Sequence, residues 1–457
     1  ILRQKSLQGN LLATYQRYQN QETNSEVAQM LLDECIKIHL ESDFAVNSLN
    51  LKKFRALHDA NVRFDPHLTL FIGQNGTGKT AILDAIAKAL SYVVASYSTK
   101  TGVGAQLQNC DISADIENAT YASIGLELKV GKDNFKFGIT KSIDPHDSSS
   151  SSDLQDFKSY GKLLRLISNT KLVNLPTMVY YRIDRSSSLK LNYKVNSLTS
   201  VTHKRGDVLT AFTNNGFISP LKADFFEHWI AGLFKTKLAN ETNTPNEFKN
   251  KGSVDSVLLS VDRQIKLLVD ILKQKHIAGI RDITFDLSEG IDQIMVLEYK
   301  KFHNYSHLSD GQRLYLALVC DLVRRMTVLN PLLENPLEGR GIVLIDEVEL
   351  HLHPKWQQDI VPTLMDLFPN IQFILTSHSP QVLSSVDKKH LRLIERDDST
   401  GEVVISHVDT QTEGVGTSDI LNNLMGVISP PPDSVGVKFI RNFDEHISDP
   451  KCDLAEI

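Results

Sequence analysis

A glycine-rich octapeptide between an apolar run and an alanine-rich stretch constrains the fold of this chain most. The octapeptide follows the apolar residues 68–72 and reads Gly73-Gln74-Asn75-Gly76-Thr77-Gly78-Lys79-Thr80. It matches the full GxxxxGK[ST] pattern, which belongs between a strand and a helix. Glycines let the backbone curl so that its N–H groups face phosphate at the positive end of that helix. The sequence therefore predicts an α/β fold of the P-loop NTPase type, with a mixed sheet flanked by helices.

The chemistry of the octapeptide assigns its residues to ATP and Mg²⁺. Lys79 is expected to hold the β- and γ-phosphates, and Thr80 is expected to ligate Mg²⁺. The backbone of residues 73–78 would surround the phosphates. A glycine-rich turn that matches the pattern by chance is the alternative, and the strand–loop–helix context argues against it.

Two acids stand at the end of a second apolar run, residues 342–345, as at the end of a buried parallel strand. Asp346 is expected to bind Mg²⁺, and Glu347 is placed to polarise the attacking water as a general base. Acids after an apolar strand are common. The assignment therefore depends on the order and spacing of this pair relative to the other motifs.

The segment 308–312 reads LSDGQ and precedes a helix with leucines at i, i+4 spacing. Ser309 is a good helix N-cap, and the same geometry can bind phosphate. The segment resembles the LSGGQ signature of ABC-type ATPases, with Asp310 in place of the commoner glycine. The resemblance implies that Ser309, Gly311 and Gln312 contact ATP held by a partner subunit. It therefore implies a head-to-tail pair of ATPase domains with two sandwiched nucleotides.

Two further site residues follow from the ABC resemblance. His378, after the apolar residues 371–375, resembles the switch histidine that contacts the γ-phosphate, although a lone histidine is more often structural. A Mg²⁺-binding glutamine is expected after the P-loop helix, and Gln108 and Gln106 are the alternatives.

An alternating trio of Glu349, His351 and His353 follows the acidic pair. The spacing could suggest a metal site. We interpret the trio instead as part of the loop after the acidic strand, packing at the dimer seam.

Periodicity and turn residues divide the chain into five segments. We predict an N-terminal helical extension (1–45), a first ATPase core part with the P-loop (46–145), a mostly helical insertion with one core strand near 176–183 (146–279), a second core part with signature, acidic strand and switch histidine (280–410), and a C-terminal helical segment (411–457). The chain begins at Ile1 and ends in a helix-like stretch, so trimming of either end is one interpretation.

Composition narrows the class of partner. The formal net charge of −6 argues against a protein that is basic all over. No apolar run approaches the ~20 residues of a membrane-spanning helix, so we expect no membrane partner. The four cysteines show no CxxC pairing. Reduced thiols in a cytoplasmic protein are the simplest interpretation.

One stretch after the acidic strand indicates a narrower family. Residues 346–358 read DEVELHLHPKWQQ, and the stretches 373–380 and 382–386 follow. Together they resemble the Septu-type anti-phage defence ATPases (PtuA), related to the OLD and RecF-like ABC ATPases. The N-terminal helical extension is most similar to the retron-associated version. The resemblance implies a homodimer or higher homo-oligomer that works with a separate PtuB-like HNH nuclease. In retron systems, it further implies control by a reverse transcriptase and its RNA-linked single-stranded DNA.

Two other classes compete with a defence ATPase. A RecF- or SMC-like DNA-repair ATPase would act directly on DNA and should present a basic surface, yet the lysines of the insertion are scattered among acids. A transporter ATPase usually places its signature much nearer the P-loop. An adjacent HNH nuclease gene would favour the defence role over the repair role.

Overall fold

The computed structural model describes most of the chain. Its described residues are 2–21, 25–99, 101–114, 119–143, 152–182, 218–220, 229–235, 237, 252–286, 293–397 and 402–424. The serine run 148–151, most of the lysine-bearing part of the insertion and the chain beyond residue 424 lie outside them.

A seven-stranded mixed sheet forms the centre of the molecule. Its strand order is β14-β13-β3-β12-β11-β6-β7, and only the β13–β14 pair is antiparallel. All residues of β11 and β12 are buried, as expected for parallel strands covered on both faces. The strands are β3 (Leu68–Gly73), β6 (Thr177–Arg182), β7 (Ile218–Pro220), β11 (Gly341–Ile345), β12 (Ile371–Thr376), β13 (Leu391–Arg396) and β14 (Val403–His407). The predicted mixed sheet is confirmed.

A four-stranded antiparallel sheet, ordered β2-β1-β4-β5, packs beside the central one. Its strands are β1 (Phe44–Phe54), β2 (Leu57–Arg63), β4 (Tyr121–Val130) and β5 (Asp133–Ser142). The alternating apolar residues of 122–130 and 134–140 predict an antiparallel hairpin, and alternate residues of β4 are indeed buried. That hairpin is confirmed.

A three-stranded antiparallel sheet leads into the signature. It consists of β8 (Ile280–Asp286), β9 (Gln293–Glu298) and β10 (Lys301–Asn304). The apolar runs 283–286 and 294–299 predict the β8–β9 hairpin, whereas no pattern in the sequence predicts β10. This strand has only four residues and none of them is buried, so it shows no apolar alternation.

Helices cover both faces of the central sheet. They are α1 (Leu2–Leu7), α2 (Leu11–Gln19), α3 (Ser25–Glu41), α4 (Lys79–Ser98), α5 (Gln155–Thr170), α6 (Gly252–Lys275), α7 (Asp310–Leu329), α8 (Pro354–Leu367), α9 (Pro380–Leu383) and α10 (Thr417–Asn423). By length and hydropathy α4 would suit a membrane span, but 78% of the tested window is buried inside the protein. Core helices commonly have this character. Here α4 lies between the sheets as the P-loop helix.

The N-terminal helices pack onto the four-stranded sheet. Asp133 at the start of β5 accepts hydrogen bonds from the Asn10 side chain at 2.6 Å and the Leu11 N–H at 2.7 Å. Leu11 and Tyr15 are buried in the same core as α4 and α5. The extension is therefore joined to the ATPase core by both apolar packing and a buried carboxylate.

Candidate nucleotide-binding site

The octapeptide forms the predicted strand–loop–helix turn between β3 and α4. Gly78 is the N-cap of α4 and has a φ of 100°, a left-handed conformation that side chains disfavour. A Cβ there would also lie 3.3 Å from the Leu57 side chain of the β1–β2 hairpin. The positive end of α4 is thus presented to the loop, where backbone N–H groups can meet an anion.

Lys79 is buried beneath the loop that it is expected to serve. Its Nζ donates to the carbonyls of Gly73 at 2.9 Å and Gln74 at 2.6 Å. Burial lowers the pKa of Lys79 to about 8, and the nearby carboxylates of Asp346, Glu347 and Glu349 act in the opposite direction. The ammonium group is therefore held at the loop and close to the acids of the second motif.

The two predicted Mg²⁺ ligands meet directly. The Thr80 hydroxyl donates to Asp346, with Oγ1 at 3.1 Å from Oδ1 and 3.0 Å from Oδ2. Thr376, at the end of β12, donates to Asp346 Oδ1 at 2.7 Å. Burial raises the pKa of Asp346, and the hydrogen bonds from Thr376 and Thr80 act in the opposite direction. A hydroxyl and a carboxylate are the hard oxygen ligands that suit Mg²⁺.

Thr376 is a site residue that the sequence did not reveal. It is fully buried, and its hydroxyl also accepts the backbone N–H of Glu347 at 2.7 Å. The available signal was its position at a strand end, immediately before Ser377 and His378. Threonine is too common in strands for that signal to be decisive.

Glu347 adopts an unusual backbone conformation directly after Asp346. Its φ is 48°, which non-glycine residues seldom adopt, and its side chain is half-buried. Such backbone strain concentrates at functional sites when the surrounding contacts enforce it. Here the Thr376 hydroxyl holds the Glu347 peptide in place.

His378 lies beside the loop that follows β11 (residues 346–353, called the acidic loop below). Glu349 links this loop to His378. The His378 N–H donates to Glu349 Oε1 at 2.5 Å. Burial is the main cause of the raised pKa of Glu349. The trio Glu349, His351 and His353 forms no metal-binding cluster, since the described part of the chain holds no such group of three or more residues.

The signature segment begins α7 as a capping box. Ser309 Oγ accepts the Gln312 N–H at 3.3 Å, and Gln312 Oε1 accepts the Ser309 N–H at 3.0 Å. Ser309 is exposed, whereas Gln312 is buried and donates to Ala278 O at 3.2 Å and Glu298 Oε1 at 3.0 Å. Ser309 is thus accessible to a partner although its hydroxyl caps α7, while the Gln312 amide is engaged within its own subunit. Contact of Gln312 with ATP remains a prediction.

Gln106 and Gln108, the two alternatives for the one Mg²⁺-binding glutamine, are both exposed. Gln108 Oε1 accepts the Cys110 thiol at 3.6 Å, and within the described residues neither Gln106 nor Gln108 bonds to Asp346. Their segment is anchored elsewhere, because Lys88 of α4 pairs with Asp111 at 3.1 Å. The choice between the two glutamines stays open.

A charged cluster beside the P-loop helix was not predicted. Arg55 pairs with Asp84 of α4 at 2.6 Å and with Asp111 at 3.0 Å, and the Tyr180 hydroxyl donates to Asp84 at 2.9 Å. These contacts join the β1–β2 hairpin, α4 and β6. They hold the helix that presents Lys79 and Thr80.

A family model for the AAA ATPase domain matches residues 45–383, the region that contains the P-loop, the signature, the acidic pair and His378. The chain belongs to this family. It is an ATPase of the AAA ATPase domain family, and the P-loop fold expected from the octapeptide is confirmed.

Curated relatives show which ATPases this chain resembles. The Retron Vc95 probable ATPase of Vibrio cholerae serotype O1 biovar El Tor is 30% identical over 410 residues, 82% of this chain and 78% of that protein. The Retron Ec83 probable ATPase of Escherichia coli is 26% identical over 488 residues, 96% of this chain and 88% of that protein. The Septu protein PtuA of Bacillus mycoides (strain KBAB4) is 26% identical over 248 residues, 54% of this chain and 33% of that protein. The resemblance to Septu and retron ATPases is therefore confirmed.

Among solved structures, the Smc head domain derived from Pyrococcus furiosus matches with a TM-score of 0.46 at 17% identity. The match covers 80% of this chain and 96% of that one.

Gly311 lies at the junction where the signature segment contacts the acidic loop, and a substitution there can test this contact. A Cβ at Gly311 would lie 2.2 Å from the carbonyl oxygen of His351, a backbone atom that cannot move aside cheaply. Gly311→Ala should therefore destabilise the protein by about 1–3 kcal/mol, the usual cost of overpacking, in denaturant unfolding. Gly232→Ala is the control, because Gly232 is helical and a Cβ there meets nothing within 4 Å. Equal stability of both variants would contradict the junction.

Proposed function

We propose that this ATPase binds Mg²⁺–ATP at the P-loop and hydrolyses it at a site completed by a second copy of the chain. The contact of Thr80 and Thr376 with Asp346 carries the proposal, because it places a hydroxyl and a carboxylate together beside Lys79. Lys79 would hold the β- and γ-phosphates, and Glu347 would polarise the attacking water. His378 would contact the γ-phosphate.

The second copy is proposed from the signature. Ser309 is exposed at the positive end of the 20-residue helix α7. An exposed hydroxyl and helix N-terminus suit a phosphate that arrives from outside the subunit. We therefore place Ser309 and Gly311 against the nucleotide of the partner, in a head-to-tail homodimer or a larger assembly with two ATP molecules per pair.

Lys79→Ala should weaken ATP binding by roughly 10- to 100-fold, since a hydrogen bond to a charged group contributes about 1.5–3 kcal/mol. The measurement is a titration with a fluorescent ATP analogue in the presence of Mg²⁺. Lys129→Ala is a suitable control because Lys129 is half exposed on β4 and paired with Asp43. Wild-type ATP affinity in the Lys79 variant would overturn the assignment of the P-loop.

The biological role is proposed from the relatives. Two of them are named as retron probable ATPases and match this chain over most of their length. A third is named as a Septu protein. We infer that this ATPase acts in bacterial anti-phage defence in the cytoplasm and regulates a separate PtuB-like HNH nuclease. A retron reverse transcriptase and its RNA-linked single-stranded DNA are the further partners that we propose.

Co-expression with the neighbouring genes, followed by purification through a tag on this ATPase, tests the defence role. An HNH nuclease that co-elutes, together with phage protection that is lost in the Lys79→Ala strain, is the expected result. ATPase activity that rises with added DNA, with no nuclease bound and no protection, would instead favour a RecF- or SMC-like repair ATPase.

A further inference from the structure

Glu349 makes a contact that none of the proposed catalytic roles uses. It lies in the loop after β11, and its Oε1 accepts the backbone N–H of His378 in the loop after β12 at 2.5 Å. We propose that Glu349 is a positioning residue, which orients the peptide that carries His378 toward the γ-phosphate. This inference rests on the proposed function of His378, and the experiments below separate the two.

The ends of β11 and β12 are already tied by other bonds. Thr376 bonds to Asp346 and to the Glu347 N–H, and the Val348 N–H donates to the Thr376 carbonyl at 3.1 Å. These bonds fix the last residue of β12 but do not reach past it. The Glu349 bond reaches two residues farther along the chain, to the peptide nitrogen of His378 itself.

The residues on either side of His378 are held both within their own turn and by neighbouring elements. The Ser377 N–H donates to the Phe71 carbonyl of β3 at 3.0 Å, and Ser379 Oγ donates to Gln357 Oε1 of α8 at 2.6 Å. The Ser379 N–H donates to Ser377 Oγ at 3.0 Å, and Ser379 Oγ caps α9 by accepting the Gln381 N–H at 3.1 Å. These contacts fix the residues on both sides of His378 and tie the turn to β3 and α8. Glu349 bonds to the peptide of His378 itself, so its loss should leave the turn intact while the His378 side chain loses its fixed direction.

Glu349 combines a negative charge with a hydrogen-bond acceptor at a fixed place, and we assign the positioning of His378 to the acceptor. Glu349 Oε2 is buried and has no hydrogen-bond partner among the described residues. Charged acceptors form shorter and stronger bonds to N–H groups than neutral ones. An amide oxygen would accept the same proton, so the geometric role can be separated from the charge by a glutamine substitution.

Steady-state kinetics of two variants test the proposal. Glu349→Ala removes the acceptor and should lower kcat for ATP hydrolysis by roughly 10- to 100-fold, with KM for ATP within about threefold of wild type. Glu349→Gln keeps an acceptor at the same place and should retain kcat within about threefold. Circular dichroism and thermal unfolding confirm that both variants are folded.

A double-mutant cycle with His378→Ala identifies the residue through which Glu349 acts. If Glu349 works by orienting His378, the double variant should be about as slow as His378→Ala alone. Multiplied losses of kcat would overturn the proposal. So would a Glu349→Gln variant as slow as Glu349→Ala, because the charge and not the geometry would then be required.

Amide hydrogen exchange gives a measurement that does not depend on turnover. The amide of His378 should exchange at least tenfold faster in Glu349→Ala than in wild type, and at nearly the wild-type rate in Glu349→Gln. Equal protection in all three proteins would overturn the inference. Failure of the proposed ATP site appears separately, as normal ATP binding in Lys79→Ala or normal hydrolysis in His378→Ala.

Discussion

Glu347→Gln is expected to slow ATP hydrolysis by roughly 10²–10⁴-fold, which is the usual worth of general-base assistance, while ATP binding stays near that of wild type. Glutamine has the size of glutamate but cannot accept the proton of the attacking water. The phosphate and Mg²⁺ contacts of Lys79, Thr80 and Asp346 remain. Single-turnover hydrolysis and an ATP titration on the same protein measure the two effects.

The strained backbone of Glu347 strengthens this test. Its φ is 48°, and its N–H donates to the Thr376 hydroxyl through a bond that does not involve the side chain. Glutamine should therefore keep the fold of the loop. Glu349→Gln is the matched control, because the same chemical change two residues away should cost no more than about threefold. An unchanged turnover number in Glu347→Gln would contradict the assignment of Glu347 as the general base.

Ser309→Arg is expected to abolish hydrolysis and leave ATP binding by the separate subunit near normal. The P-loop of that subunit is intact, whereas the arginine side chain would block closure of the pair. Loss of the capping bond itself costs about 0.5–2 kcal/mol of stability, so Ser309→Ala is the control with the same missing cap and no added bulk. Full activity in Ser309→Arg would mean that Ser309 serves only as a helix cap.

Mixing Ser309→Arg with Lys79→Ala protein sharpens the result. In the mixed dimer both defects fall in one composite site, and the other site has an intact Lys79 and an intact Ser309. Partial activity should return if the two sites fire independently, because two-fold symmetry gives each pair two such sites. No activity in the mixture, with mixed dimers verified by two affinity tags, would contradict independent composite sites.

The sequence predicted the parts of this site that depend on neighbouring residues. The octapeptide forms its strand–loop–helix turn because glycine freedom, the apolar run and the alanine-rich helix are all local properties. The N-cap role of Ser309 follows for the same reason, because capping involves residues within one helical turn. The acidic pair was placed correctly at the end of a buried strand.

The tertiary structure decided which residues that lie far apart along the chain form hydrogen bonds and contacts with each other. Thr376 reaches Asp346 because β12 pairs in parallel with β11, and no pattern around residue 376 encodes that register. The Glu349 contact with His378 and the Gly311 contact with the His351 carbonyl arise in the same way. Gln312 matched a motif by type, yet its amide is engaged by Ala278 and Glu298.

The physical reason lies in the range of the interactions. Backbone conformation, capping and apolar periodicity act over a few residues, so a single sequence displays them and determined the P-loop fold and the ATPase class. Side-chain hydrogen bonds between strand ends depend on sheet order and register, which arise only when distant segments pack together. The sequence of this ATPase was therefore sufficient to identify the motifs. The hydrogen bonds that join the motifs into a site were determined by the order and register of the strands in the folded sheet.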